Sequence, residues 1–370
     1  AFASRSWRGS VIYRAFTSDG LIGKSLCGRT ICRTASWAVG RKYDLLVFVL
    51  AAYGIIDIVF RKLNATLGSV WDEMFLILLV LMCIFKWTAD RRDYRLKTSP
   101  VDMPLIMFIG VMLFCLIFNS HDFAVSVEGF RAIVQYMLWY FVVIQLIKGE
   151  DSAKAITAFF VVTVAALAVY GVYQYAVGVE MPAGWTDHNE ASLRTRVFAI
   201  FTSPNVFGSL LTLAAPMSVS MMLISKSHAA KAAFGAMTLF IAASLAFTFS
   251  RGAWIGFMVA VGVYVLVKDK RLIIPCVVAV LIAVLVPSIS GRIGYMLSPE
   301  YIESSLRGGR LVRWMTGLKI FADYPVLGIG LGQFGGAVAM NNNISVIVDN
   351  QVTEAFYMDN YMLKTAVESG

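Results

Sequence analysis

Charge is scarce in this sequence. Asp, Glu, Lys and Arg make up 15% of 370 residues, where a soluble domain carries roughly 25%. That shortfall, with 58% hydrophobic residues and a mean hydropathy of +0.72, excludes an ordinary water-soluble globule. Histidine is scarcer still: His121, His188 and His228 are scattered without ligand spacing, which argues against a metal site. The five cysteines, Cys27, Cys32, Cys83, Cys115 and Cys276, form neither a zinc pattern nor a disulfide framework. The first two lie in a basic arm where reduced thiols are expected, and the others in apolar runs. No internal repeat is visible, and Asn341–Asn343 is the one low-complexity tract. The opening is basic and mixed, unlike the charged stub and apolar core of a cleavable signal peptide. It does not begin with Met, so a trimmed start is expected.

What the chain has in quantity is apolar length. Runs occur at Asp44–Phe60, Met74–Trp87, Met103–Phe118, Ala132–Ile147, Ala155–Val179, Val206–Ile224, Ala232–Phe249, Ala253–Val267 and Leu272–Ile289, and another begins near Phe356. Lipid cannot satisfy open strand edges, so such runs span as helices. The expected fold is an all-α polytopic integral membrane protein with about ten transmembrane helices, more lying beyond the end of the chain.

The net charge of +9 is placed unevenly. Arg5, Arg8, Arg14, Lys24, Arg29, Arg33, Arg41 and Lys42 face only Asp19 ahead of the first run. A cytoplasmic arm against acidic headgroups accounts for this better than nucleic acid does. Lys86, Arg91, Arg92, Arg95 and Lys97, then Lys148 and Lys154, Lys226 and Lys231, and Lys268, Lys270 and Arg271 all fall on that same side if the runs alternate. The N-terminus is therefore expected inside. The expected organisation is a basic arm over 1–43, a transmembrane bundle over 44–289, a helical extracytoplasmic loop domain over 290–355, and the start of a further span over 356–370. The loop domain is the long polar insertion and the best place for function.

The outer segments carry several arginines. Arg251, in Ser250-Arg251-Gly252-Ala253-Trp254, sits between two apolar runs with almost no loop. A snorkelling anchor explains it blandly, but an Arg so close to hydrocarbon is expensive unless it faces a cavity. Arg310 and Trp314 lie at i and i+4, so the indole could brace the guanidinium; a solvated amphipathic helix is the alternative. Arg194 and Arg196 precede Phe201-Thr202-Ser203-Pro204-Asn205, where an Asn-assisted helix start is the alternative. Guanidinium forks suit diphosphate oxygens, so an anionic ligand at the outer leaflet would explain the set. Asp359 reads either as a helix-start carboxylate or as a general base and counter-charge beside the arginines. Gly328-Ile329-Gly330-Leu331-Gly332 lacks the strand and Lys-Ser/Thr of a nucleotide loop and is expected to be a flexible turn after Pro325.

Four stretches in order resemble the O-antigen ligase and Wzy-type O-antigen polymerase superfamily of bacterial membrane glycosyltransferases. They are Arg196-Val197-Phe198-Ala199-Ile200-Phe201-Thr202-Ser203-Pro204-Asn205; Ser250-Arg251-Gly252-Ala253; Gly309-Arg310 with Trp314, running through Asp323-Tyr324-Pro325 to Phe334; and Asp359-Asn360-Tyr361-Met362-Leu363 with Glu368-Ser369-Gly370. The resemblance implies a GT-C-like helical transferase, inverting and metal-independent, with no cofactor. It would take a glycan from a polyprenyl diphosphate carrier and pass it to a glycan or lipid acceptor hydroxyl. By resemblance, Arg251 and Arg310 hold the diphosphate and stabilise the leaving group, Arg196 assists, and Asp359 activates or orients the acceptor. Asn205, Arg313, Trp314, Asn360 and Tyr361 complete the implied substrate-binding set.

Ligases of this family usually show His-Asn where this chain has Asp359-Asn360, which tilts the reading from ligase towards polymerase. The implied setting is the bacterial inner membrane, with the active site extracytoplasmic and a chain-length regulator or export complex as candidate partners. Within the superfamily the alternatives are an O-antigen ligase or a protein O-oligosaccharyltransferase. Outside it stand a lipid-linked sugar flippase and a structural subunit of an export complex. A transporter should show repeated halves and charges near the bilayer midplane, whereas these charges cluster at one interface.

Overall fold

The computed structural model describes residues 42–89, 96–147, 149–180, 195–201, 203–268, 298–306, 310–348, 351–353 and 356–370, with isolated positions between 274 and 295. The basic arm up to Arg41, Arg194 and nearly all of the Leu272–Ile289 run lie outside these residues.

The described residues are overwhelmingly helical. The apolar runs become α1 (Lys42–Ala51), α2 (Tyr53–Leu63), α3 (Ala65–Ala89), α4 (Asp102–Phe118), α5 (Phe123–Leu146), α6 (Glu150–Val177), α7 (Pro204–Ile224), α8 (His228–Phe247) and α9 (Arg251–Lys268). Among the described residues, five helices are long and apolar enough to cross a membrane: Thr66–Ile84 within α3, then α5, α6, α7 and α8. α4 and Arg251–Val267 are apolar but shorter. Large apolar side chains stand exposed along them, such as Ile77, Met103, Ile117, Leu239 and Val259. Water would penalise so much open apolar surface, and lipid does not.

The helices begin earlier than their apolar runs, α3 and α5 by the most, at nine residues each. α3 takes in Asp72 and Glu73, and α5 takes in Glu128 and Arg131. Conversely, the first run is broken at Ala52, giving two helices in place of one.

The chain forms two compact units. The first holds residues 1–94 and 146–290, and the second holds residues 95–145 and 291–370. In the first, α7 packs on α6, α8 and α9, and α1 packs on α6. The seams are made by small residues. A Cβ on Gly171 would run into Ser244, Val197 and Phe207, and one on Gly208 would come within 2.8 Å of Ala253 Cβ. Hydroxyls bridge helices there too, with Ser218 Oγ 2.8 Å from Thr238 Oγ1 and Thr212 Oγ1 donating to Ala253 O at 3.1 Å. Close backbones and hydroxyl bonds are the usual means of helix association where the hydrophobic effect is absent.

The second unit joins α4 and α5 to the later polar region, which folds as α10 (Pro299–Leu306), α11 (Arg310–Asp323), a glycine-rich turn, α12 (Gly336–Asn341), a short hairpin of β1 (Val346–Val348) and β2 (Gln351–Thr353), and α13 (Tyr361–Ser369). The strands pair antiparallel, Ile347 opposite Val352. They are a small addition to an otherwise helical chain. Leu331 of the turn is fully buried with Met112 and Cys115 of α4 and Ile133 and Val134 of α5. α11 and α13 share a core of Ile320, Phe334, Met358 and Val367.

Candidate functional site

Each unit gathers some of the residues singled out in the sequence. In the first, the segment 195–201 lies against the turn between α8 and α9. Arg196 is buried, its Nε donating to Thr248 O at 3.0 Å and its Nη2 to Asn205 Oδ1 at 3.3 Å. Val197 N donates to Phe247 O at 3.0 Å. Arg251 opens α9 three residues after Thr248 and is half-buried. Arg196, Asn205 and the turn that launches Arg251 are therefore one hydrogen-bonded group.

The helix start at α7 differs from the Asn-assisted one that stood as the alternative for this segment. Ser203 is the N-cap, its Oγ accepting from Asn205 N and Val206 N, with Pro204 at the first helical position. That leaves the Asn205 side chain for Arg196. The segment itself is gripped by Gln174 of α6, which is almost fully buried. Its Oε1 accepts from Ala199 N at 2.8 Å and its Nε2 donates to Ala199 O at 2.9 Å. Ala199 needs the grip because its φ is +50°, a region L-residues seldom adopt. We predict that Gln174→Leu, by orphaning a buried N–H and C=O, destabilises the protein by about 2–4 kcal/mol, measured by thermal unfolding in detergent micelles.

The second unit brings together Arg310, Arg313, Asp359 and Asn360. Arg310 Nε sits 2.7 Å from Asp359 Oδ2, and both side chains are partly exposed, at 45% and 32%. The pair joins the first residue of α11 to the segment just before α13. Arg313 Nη1 donates to Tyr357 O at 3.0 Å, and its guanidinium lies 5.8 Å over the Phe356 ring. The ring contact in this helix thus belongs to Arg313, while Arg310 turns to a carboxylate. Trp314 is 38% exposed and Tyr361 is 55% exposed. The helix-start role falls to Asn360, whose Oδ1 accepts from Leu363 N at 3.1 Å, leaving the Asp359 carboxylate to face Arg310.

This arrangement sets a cation and a carboxylate side by side, reachable from outside the protein, on elements tied together behind them. It can bind an oxyanion at the guanidinium and accept a proton at the carboxylate. Among the described residues no cluster of three or more His, Cys, Asp or Glu could hold a metal ion.

Residues 236–370 match the Wzy_C family, O-antigen ligase. The match supports the O-antigen ligase and Wzy superfamily, whose members are glycosyltransferase-like enzymes, and a function of O-antigen ligase or polymerase type in general. It contains Arg251, Arg310, Arg313, Trp314, Asp359, Asn360 and Tyr361, while Arg196 and Asn205 precede it. The O-antigen ligase family implies a lipid-linked glycan substrate and a membrane environment, in keeping with the five membrane-competent helices among the described residues. No curated protein and no solved structure matches the chain.

The glycine-rich turn inside the O-antigen ligase match is held at several points. Gly328, Gly330 and Gly332 have φ of +64°, +99° and +76°. Ile329 N donates to Val367 O at 3.0 Å and Gly330 N to Glu368 O at 3.2 Å, so the turn is laced to the end of α13. Asn119, just after α4, donates from Nδ2 to Leu327 O at 2.7 Å. A Cβ on Gly328 would run into the Val367 and Glu368 backbone. Gly328→Ala is therefore expected to cost about 1–3 kcal/mol, read as a lower thermal midpoint in micelles.

Sequence reasoning gave no role to Gln174, Ser203, Thr248, Lys364 or Glu368, although Ser203 and Glu368 lie in the stretches that carry the resemblance. Only the Ser-Pro pair at 203–204 carried a local signal, that of a capped helix start.

Proposed function

We propose that the chain polymerises lipid-linked glycans. It would take a growing oligosaccharide from a polyprenyl diphosphate carrier and join it to the hydroxyl of another glycan at the outer face of the bacterial inner membrane. The observation that carries this reading is the partly exposed Arg310–Asp359 pair inside the O-antigen ligase match.

The reaction follows from that pair. An acceptor hydroxyl oxygen attacks the anomeric carbon as the bond from that carbon to the diphosphate oxygen breaks. Asp359 takes the hydroxyl proton. The departing diphosphate carries the electron pair, and Arg310 meets the charge that develops there. Attack opposite the leaving group inverts the anomeric centre. An arriving diphosphate also competes with Asp359 for the guanidinium, freeing the carboxylate as the substrate binds. Arg313, Trp314, Asn360 and Tyr361 are proposed to contact the substrate around the pair. For Arg251, with Arg196 and Asn205 supporting it, we also propose anion handling, to be tested by its own substitution. The placement of basic loops supports an N-terminus in the cytoplasm.

The test is full-length protein in liposomes with polyprenyl-diphosphate-linked oligosaccharide and excess chelator, the product followed by length on a gel. A ladder is expected. A single transfer to an added lipid acceptor would instead identify a ligase, and passage of substrate across the bilayer without transfer would make the chain a flippase.

A further inference from the structure

Behind the exposed pair lies a second, hidden one. Lys364 Nζ is 2.7 Å from Glu368 Oε2, one helical turn apart on α13. Glu368 is fully buried and Lys364 nearly so. Both are far less open than Arg310 and Asp359. The other carboxylate oxygen, Oε1, accepts from Phe334 N at 3.1 Å, so the carboxylate binds the glycine turn as well as the lysine.

Each contact leads towards the Arg310–Asp359 pair. Phe334 is fully buried against Ile320 of α11 and against Met358, the neighbour of Asp359. Its ring meets Phe356 edge-on at 5.3 Å. Gly335 and Gly336 let the turn lie flush: added Cβ atoms would come within 2.8 Å of Met358 Cβ and 3.0 Å of Lys364 Cε. On the facing side, a Cβ on Gly317 of α11 would sit 3.2 Å from both Leu363 and Phe334. α11, the turn and α13 are thus packed against one another around Phe334.

Stability alone does not call for an ion pair here, because apolar residues of the same volume often stabilise a core as well or better. What charge adds is direction. Lys364 fixes which way the carboxylate points, and the carboxylate fixes the Phe334 amide.

We propose that Lys364 and Glu368 are positioning residues: they lock the glycine turn to α13 and so set the register in which Asp359 meets Arg310. The proposal rests on the transfer reading for what the register serves, but not for whether it is set this way.

Glu368→Gln keeps an acceptor for Phe334 N–H and removes the ion pair. Full-length wild type and variant in nanodiscs would be compared by amide hydrogen exchange over residues 328–336 and 356–364. The same preparations in liposomes would give kcat and KM for a polyprenyl-diphosphate-linked oligosaccharide. Exchange in both segments should rise at least about tenfold, with kcat falling about tenfold and KM within about twofold of wild type. Unchanged exchange at 356–364 overturns the proposal, and so does faster exchange with an unaltered kcat. If the wild type transfers nothing while exchange responds as expected, the transfer reading fails and the positioning stands. Should Glu368→Gln not insert, the neutral double variant Lys364→Met/Glu368→Gln carries the same expectations.

Discussion

Asp359→Asn should slow transfer by about 10²–10⁴-fold, the usual worth of a positioned general base. The substitution is nearly isosteric, so the segment before α13 keeps its shape and Asn360 keeps its cap on Leu363 N. What is lost is the proton acceptor and the charge facing Arg310 at 2.7 Å. That second loss has its own signature. Without a competing carboxylate the guanidinium is freer to take a diphosphate, so KM for the carrier should hold or fall while kcat collapses. Turnover close to wild type would reduce Asp359 to a counter-charge and leave the proton acceptor to be found elsewhere.

Arg310→Ala should be as damaging by a different route. Removing a preorganised donor to a developing oxyanion typically costs about 10²–10³-fold in kcat. Here KM for the carrier should rise, opposite in sign to the Asp359→Asn effect, because the binding cation is gone. Arg310→Lys should recover little, since a point charge cannot present two parallel N–H groups to a diphosphate. Kinetics of both variants in liposomes, checked for equal insertion, would decide. An Arg310→Ala protein that still gives a full ladder would remove the central cation of the mechanism.

The sequence was most legible where physics leaves little choice. A long apolar run must become a helix in lipid, and the runs from Met74 to Val267 did so. Their ends were less legible. α3 continues back through Asp72 because that carboxylate, although buried, accepts from Tyr53 OH at 3.1 Å, a partner 19 residues away. The break at Ala52 is not marked by the residue itself, since alanine favours helix, and nearby Gly54 is only a weak signal. Arg310 and Asp359 could each be singled out by composition and resemblance, but their contact is made between distant segments. The roles of Glu368, though it lies in a matching stretch, and of Gln174 were illegible for the same reason: a buried polar residue declares its role only through the backbone it holds. The two units also cut across the order of the chain, joining 95–145 to 291–370.

That interleaving has a consequence for biogenesis. Cys115 Sγ on α4 donates to Ser369 O on α13, across 254 residues of chain. At about 5–20 residues per second, α4 and α5 wait on the order of ten to fifty seconds after synthesis for the partners that cover Met112, Cys115 and Ile133. Through that interval the ribosome is still feeding the intervening helices into the bilayer, and the early pair is an unfinished face open to any insertion chaperone or protease that patrols the membrane. The order of synthesis thus leaves this pair uncovered until residues 328–369 have been made.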